Sequence, residues 1–280
     1  MSGLRDVLVR VGRLEWIARS NVTSNISLML QEACATHFEN EADSAVLVEL
    51  SEDDAGEKSG FRRLGRKIEI DAESIRSLKP FDKWLKSEMR SNHAGETGAV
   101  CIYLGCKNAI RLREKILKRS EYEDKLLEFA REHEESERTH LVLLNQILDD
   151  RRLIRGDRSA LLPMWRMAGY SLGFFSTLFN PRGMFLTTDA VESFVEEHYQ
   201  SQIRRLENEI RDLGGNCEAR KSLKYLLECC CEDEVHHRDE ARKRAADGPM
   251  PWVGFRWVGS SWRKVVFGAS QFGAAVAKRL

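Results

Sequence analysis

ERTH, residues 137–140, and EVHH, residues 234–237, decide the fold of this 280-residue chain. Each sets a glutamate three residues before a histidine inside a long helix-forming run: Glu137 with His140, and Glu234 with His237. Residues three apart lie one above the other on an α-helix, so both side chains of a pair can reach one ion or a pair of ions. None of the other histidines has a glutamate at that offset. A second regularity lies upstream. Glu96, in HAGETGA, stands 41 residues before Glu137, and Glu192, in AVESFVEEHY, stands 42 residues before Glu234. One plan is written twice: a helix with a single glutamate, a turn, then a helix with Glu-x-x-His.

Four carboxylates and two imidazoles on four helices are the ligand set of a carboxylate-bridged di-iron or di-manganese centre in a ferritin-like bundle. Any one motif is weak, because a Glu-x-x-His on a polar helix is commonly a surface pair. Their order and near-equal spacing make the constellation Glu96, Glu137, His140, Glu192, Glu234, His237. Four carboxylates offset the charge of two divalent ions, and the absence of thiolate argues against structural zinc. Iron pairs with open positions can activate O2. His133, Glu134, Glu135 and His236 flank these residues at other helical angles.

The composition suits this reading. Hydrophobic residues make up 42%, charged residues 31%, and only five prolines interrupt the chain, so the expected fold class is all-α. The formal charge of zero gives no electrostatic reason to expect nucleic acid as a partner. Seven cysteines, three of them consecutive at Cys229 to Cys231, lack the paired spacing of a zinc site and read as reduced thiols.

The first bundle helix is expected from near Pro80, with Leu85, Met89, Glu96, Val100, Tyr103 and Ile110 on one side. The second runs from about Tyr122 to Asp149 and the fourth from about Cys217 to Ala246. Gly214 and Gly215 stop the third, which carries Thr188, Glu192, Val195, Tyr199 and Leu206 on one face. Between the halves lies LLPMWRMAGYSLGFFSTLFN, residues 161–180, with Arg166 its only charge. Pro163, Arg166, Gly169 and Gly173 are expected to break it up, so it reads as a connector that packs over the bundle or dips into one leaflet. Residues 250–280 combine Trp252, Trp257 and Trp262 with exclusively basic charges. An anionic membrane surface favours that mixture; the alternative is a helix docked on the bundle. Residues 1–80 form an N-terminal extension and residues 81–280 the ferritin-like domain. The extension opens with an arginine-rich amphipathic stripe, Leu4 to Ala18, that reads as a mitochondrial targeting segment or a surface helix, and continues into an acidic linker, Glu39 to Glu57.

SNHAGETGA, ESERTHL, PMWRMAGYSLGFFSTLF, AVESFVEEHYQSQIRRL and DEVHHRDEA, in this order, resemble demethoxyubiquinone hydroxylase, the di-iron monooxygenase family of ubiquinone biosynthesis. The resemblance runs from about Arg90 to the C-terminus. It implies Glu96 and Glu192 as terminal ligands, Glu137 and Glu234 as bridging ligands, and His140 and His237 as nitrogen ligands. It further implies two iron ions, O2 as co-substrate, NADH as a candidate reductant and a polyprenylated quinone as substrate. Peripheral membrane association and a lipid-binding accessory protein of the quinone pathway are family expectations. So is a place on the matrix side of the mitochondrial inner membrane, or on the cytoplasmic face of a bacterial inner membrane. His198, Tyr199 and Tyr103 are candidates for hydrogen bonding or electron delivery beside the ligands, with core packing as the alternative. Asn92 departs from the family, which carries an acid just before HAGE, and both helix pairs are longer than usual. The rival functions are a ferritin-like iron-oxidising or peroxide-reducing protein and a non-catalytic membrane scaffold of quinone synthesis.

Overall fold

A computed structural model describes residues 59–63, 66–70, 72–115, 118–148, 158–213, 217–247 and 253–279. The expected targeting segment and acidic linker lie outside these residues, as do Cys34, Trp252 and the stop at Gly214 and Gly215. A short antiparallel hairpin, β1 (Ser59–Arg63) with β2 (Arg66–Ile70), leads into a one-turn helix, α1 (Ala72–Arg76). The described elements after it are all helices: α2 (Lys83–Glu114), α3 (Glu121–Leu148), α4 (Leu162–Phe179), α5 (Pro181–Leu213), α6 (Glu218–Asp247) and α7 (Val253–Ala277).

Helices α2, α3, α5 and α6 form the expected four-helix bundle. Cross-links fix their directions. His93 with Asn145 near one end and Arg113 with Glu123 near the other make α2 and α3 antiparallel. Arg242 with Asp189 and Arg220 with Glu209 do the same for α5 and α6. The apolar positions of each helix recur every three or four residues and meet in two layers. One contains Leu85, Met89, Leu144, Ile147, Leu206, Leu223 and Leu227; the other contains Ile110, Leu126, Phe129, Met184, Phe185 and Ala241. All are buried, and the buried glutamates and histidines lie on the same inward faces, at sequence positions between the two layers.

Two expectations need correction. Helix α2 begins at Lys83 rather than near Pro80, because the Asp82 carboxylate accepts the Leu85 amide at 2.8 Å and caps the first turn. Gly169 and Gly173 do not break the connector. They sit inside α4 and let it run parallel to α2 at backbone contact: a Cβ on Gly169 would collide with the Gly98 carbonyl, and one on Gly173 with that of Ile102. Small residues four apart permit such close approach. The described part of α7 docks on the bundle. Its Trp262 indole donates to Thr187 Oγ1 at 2.8 Å, and Arg263 and Lys278 pair with the buried carboxylates of Asp189 and Glu88, both at 2.8 Å.

Candidate metal centre

The 3.6-residue repeat that buries the leucines of α2, α3, α5 and α6 buries the six candidate residues on the same faces. Glu96, Glu137, His140, Glu192, Glu234 and His237 are all at least 95% inaccessible to solvent. Their ligand atoms form two groups, Glu96, Glu137, His140, Glu234 and Glu137, Glu192, Glu234, His237, each within 4.8 Å. Glu137 and Glu234 belong to both. His140 Nδ1 lies 3.2 Å from Glu234 Oε1, 3.6 Å from Glu96 Oε2 and 3.8 Å from Glu137 Oε2. His237 Nδ1 lies 3.2 Å from both Glu137 Oε1 and Glu234 Oε2.

Four buried carboxylates demand compensating positive charge. Burial raises the Glu96 carboxyl to about 7, and burial together with the Glu234 and Glu137 charges pushes Glu192 well above the usual range. On His237, the depressing effect of burial is outweighed by the Glu137 and Glu234 carboxylates, which lift it to about 10. Even so, Glu96 Oε2, both oxygens of Glu137, Glu234 Oε1 and His140 Nδ1 are buried without a hydrogen bond. Lone pairs left converging in this way are costly in a packed core. Two divalent cations fit the place: the donors are oxygen and imidazole nitrogen, and the orphaned atoms point at one another.

Of the residues beside these six, Tyr199 is engaged. Its hydroxyl donates to Glu96 Oε1 at 2.5 Å. Tyr103 is equally buried, and its ring packs on Phe129 and His133. His198 turns to Glu88, with Nε2 3.6 Å from Oε2. Asn92, in place of the expected acid, exchanges two hydrogen bonds of 2.9 Å with the Gln202 amide, which in turn donates to Glu88. His133 is buried with its ring centroid 4.3 Å from that of His237, and Glu134 takes Lys107 and Arg138. Glu135 is exposed. Sequence reasoning passed over Asp233, whose Oδ2 accepts from His140 Nε2 at 3.2 Å and so aims Nδ1 at the carboxylates. Its signal was an acid directly before a candidate ligand glutamate.

A cavity of about 280 Å3 opens onto this cluster. Glu96, Glu137, Glu192 and Glu234 face one part of it, and its walls are apolar, with Ile102, Leu172, Val191 and Val195 beside Trp165 and Trp262. Helices α2, α4, α5 and α7 supply most of its lining.

A family model for ubiquinone biosynthesis protein COQ7 matches residues 83–259. Among curated relatives, the NADPH-dependent 3-demethoxyubiquinone 3-hydroxylase of Dictyostelium discoideum is 32% identical over 53% of this chain and 59% of its own length. The 3-demethoxyubiquinol 3-hydroxylase of Rhodospirillum rubrum is 30% identical over 54% of this chain and 60% of its own. For the mitochondrial 5-demethoxyubiquinone hydroxylase of Saccharomyces cerevisiae the figures are 27%, 61% and 70%. The match thus spans about three fifths of the first two relatives.

Proposed function

The chain belongs to the family of ubiquinone biosynthesis protein COQ7, and on that premise we propose that it hydroxylates the ring of demethoxyubiquinone or its quinol, with O2 as co-substrate. One oxygen atom enters a ring C–H bond as hydroxyl and the other leaves as water, taking two electrons from a reductant and two protons from solvent. The relative in Dictyostelium discoideum is named NADPH-dependent, which favours NADPH over NADH as that reductant. Residues 81–280 are the catalytic domain in this reading, and residues 1–80 an extension to it.

One observation carries the reading: an apolar cavity leads to a buried cluster of four carboxylates and two imidazoles. A ferritin-like iron oxidase shares the ligands but has no use for a hydrophobic chamber beside them. Glu96, Glu137, His140 and Glu234 would hold one iron, and Glu137, Glu192, Glu234 and His237 the other. When bound, such a pair supplies the electron storage and open positions that activate O2. The chain's own residues prepare the place. Tyr199 holds Glu96 by its hydroxyl proton, and Asp233 keeps the proton of His140 on Nε2. Apolar walls beside the cluster and the burial of its carboxylates strengthen the charge interactions within.

Membrane association fits the same arrangement. The outer face of α4 exposes Met164 (55%), Met167 (48%) and Phe179 (68%), while Trp165, Ala168 and Leu172 on the same helix line the cavity. Among the described residues no helix is long and apolar enough to cross a membrane. An in-plane contact, with α4 between lipid and cavity, suits a substrate carrying a polyprenyl tail. The membrane is the mitochondrial inner membrane on its matrix side if the chain is eukaryotic, and a bacterial inner membrane otherwise. A lipid-binding accessory protein that presents the substrate is part of this proposal.

The test is to load the purified chain with iron, add short-tailed demethoxyubiquinone, O2 and NADPH with a reductase, and look for the hydroxylated ring by mass spectrometry. Quinone-dependent product is expected. Iron oxidation without any hydroxylated product overturns the assignment in favour of an iron oxidase.

A further inference from the structure

Several hydroxyl-bearing residues in these helices share a habit. Ser87 Oγ bonds the Trp84 carbonyl at 2.7 Å, Thr97 Oγ1 the His93 carbonyl at 2.7 Å, and Ser193 Oγ the Asp189 carbonyl at 2.6 Å. Each satisfies its proton on the preceding turn. Ser91, on the same helix α2 as Ser87 and Thr97, does not. Its side chain is 4% exposed, its Oγ has no hydrogen-bond partner, and it lines the apolar cavity. A buried hydroxyl left unpaired in an apolar wall is destabilising, so the cavity has a donor in want of an acceptor.

The surroundings show which kind of acceptor. Asn92 and Gln202 saturate each other, and Glu88 takes Gln202 and Lys278, so these neighbours offer a ligand little. His198 Nε2, also lining the cavity, makes no hydrogen bond, and burial followed by the Lys278 charge lowers its pKa to about 4, leaving the ring neutral. One turn along from Ser91, a Cβ added to Gly95 would meet nothing within 4 Å. There is therefore open room beside a neutral donor, about 7.5 Å of helical rise from Glu96. Neutral donors in an apolar chamber suit an uncharged oxygen, such as a ring carbonyl or phenol, and not an anion.

We propose that Ser91 Oγ is the anchor for a ring oxygen of the substrate, with the ring lying over Gly95, so that Ser91 determines which ring edge faces Glu96 and Glu192. This rests on the reading that the cavity takes a quinone ring. Ser91 touches substrate in this arrangement and sets specificity; it takes no part in the bond-making step.

The experiment uses the iron-loaded full chain and two probes with the same short prenyl tail: demethoxyubiquinone, and a prenylbenzene without ring oxygens. Dissociation constants are measured by calorimetry for the wild type and for Ser91→Ala. The substitution is expected to weaken the quinone about tenfold and to leave the prenylbenzene unchanged. Ligand-free Ser91→Ala is expected to melt at or above the wild-type temperature, since the hydroxyl it removes bonds nothing. Unchanged quinone affinity overturns the anchor, as does equal weakening of both probes or a fall in the melting temperature. If neither probe binds the wild type, the cavity is not a quinone site and the proposed function fails with the anchor.

Discussion

The two helix pairs carry the same residues at nearly the same spacing, yet they are built differently around them. In the first pair, α2 and α3, His140 is braced by Asp233, which reaches across from α6. For the second pair, α5 and α6, the residue in the position matching Asp233 would have to reach across from α3, and it is Ser136, directly before Glu137. His237 leans instead on the ring of His133. Each pair also bears a tyrosine seven residues after its single glutamate, Tyr103 after Glu96 and Tyr199 after Glu192. Only Tyr199 is hydrogen-bonded to a carboxylate, and it serves the other pair's Glu96. The outer covers differ as well. Helix α4 meets α2 along a seam of glycines, whereas α7 is held to α5 by Arg263 on Asp189 and Trp262 on Thr187. A repeated ligand pattern therefore does not make a symmetric site. The plan places six donors, and contacts that differ between the halves hold them, each reaching across from the opposite pair.

Breaking the elements common to both halves should have the largest effect. Glu137→Ala and Glu234→Ala each remove a carboxylate that belongs to both four-residue groups. Both are expected to abolish turnover and to lose most bound iron on dialysis. Glu96→Ala and Glu192→Ala, each confined to one group, are expected to retain more. Iron per chain by emission spectroscopy checks the order. Equal iron content in all four variants would remove the distinction between shared and single carboxylates.

The covers come next. Gly173→Ala forces a methyl group into the Ile102 carbonyl, and backbone has no rotamer by which to yield, so a cost of about 3 kcal/mol is expected. Arg263→Met should cost about 1 kcal/mol or less, because Arg263 is 42% exposed and Asp189 keeps Arg242 at 2.8 Å. Denaturant unfolding of the two variants compares the glycine seam with the charged pins. A larger loss for Arg263→Met would reverse the comparison.

The braces on the histidines follow. Asp233→Asn leaves a partner for His140 Nε2 but removes the charge that favours Nδ1 as donor to metal, so iron affinity is expected to fall about 10–100-fold. Ser136→Ala, at the matching place in the other half, is expected to change it little. Competition with a chelator reads both, and equal losses would mean that His237 has a brace of its own through Ser136.

How much of this could be read from the chain follows from what each feature depends on. The six candidate donors depend only on helical periodicity within a segment, so spacing alone put Glu137 beside His140 and Glu234 beside His237. The helix register also carried the bundle and its buried faces. Asp233 depends on another helix: on α6 it points away from Glu234, and its use appears only when α3 lies opposite. Gly169 and Gly173 are the same kind of case. Within one segment glycine lowers helical preference, and only the approach of α2 turns two glycines into a seam. The backbone of Pro80 suits a first turn, but the Asp82 carboxylate two residues on supplies the cap of α2. Trp262 and Lys278 likewise have partners on other helices, Thr187 and Glu88, that their own segment does not announce.

The smallest predicted effect is also the most direct test of the asymmetry, because it uses one substitution in two matching places. Tyr199→Phe removes a hydroxyl that donates to a carboxylate in a dry site, and leaves Glu96 Oε1 without its donor. Glu96 is raised to about 7, so near neutral pH it is only partly charged, and the loss belongs at the lower end for charged acceptors, about 1.5 kcal/mol. Tyr103→Phe removes a hydroxyl that makes no hydrogen bond and keeps the ring contacts with Phe129 and His133. Its expected cost is near zero or slightly negative, since no buried polar atom is left over. Urea unfolding of the two variants at neutral pH is sufficient to separate them. Equal costs would mean that Tyr103 serves Glu192 as Tyr199 serves Glu96, and that the two halves match after all at the tyrosines.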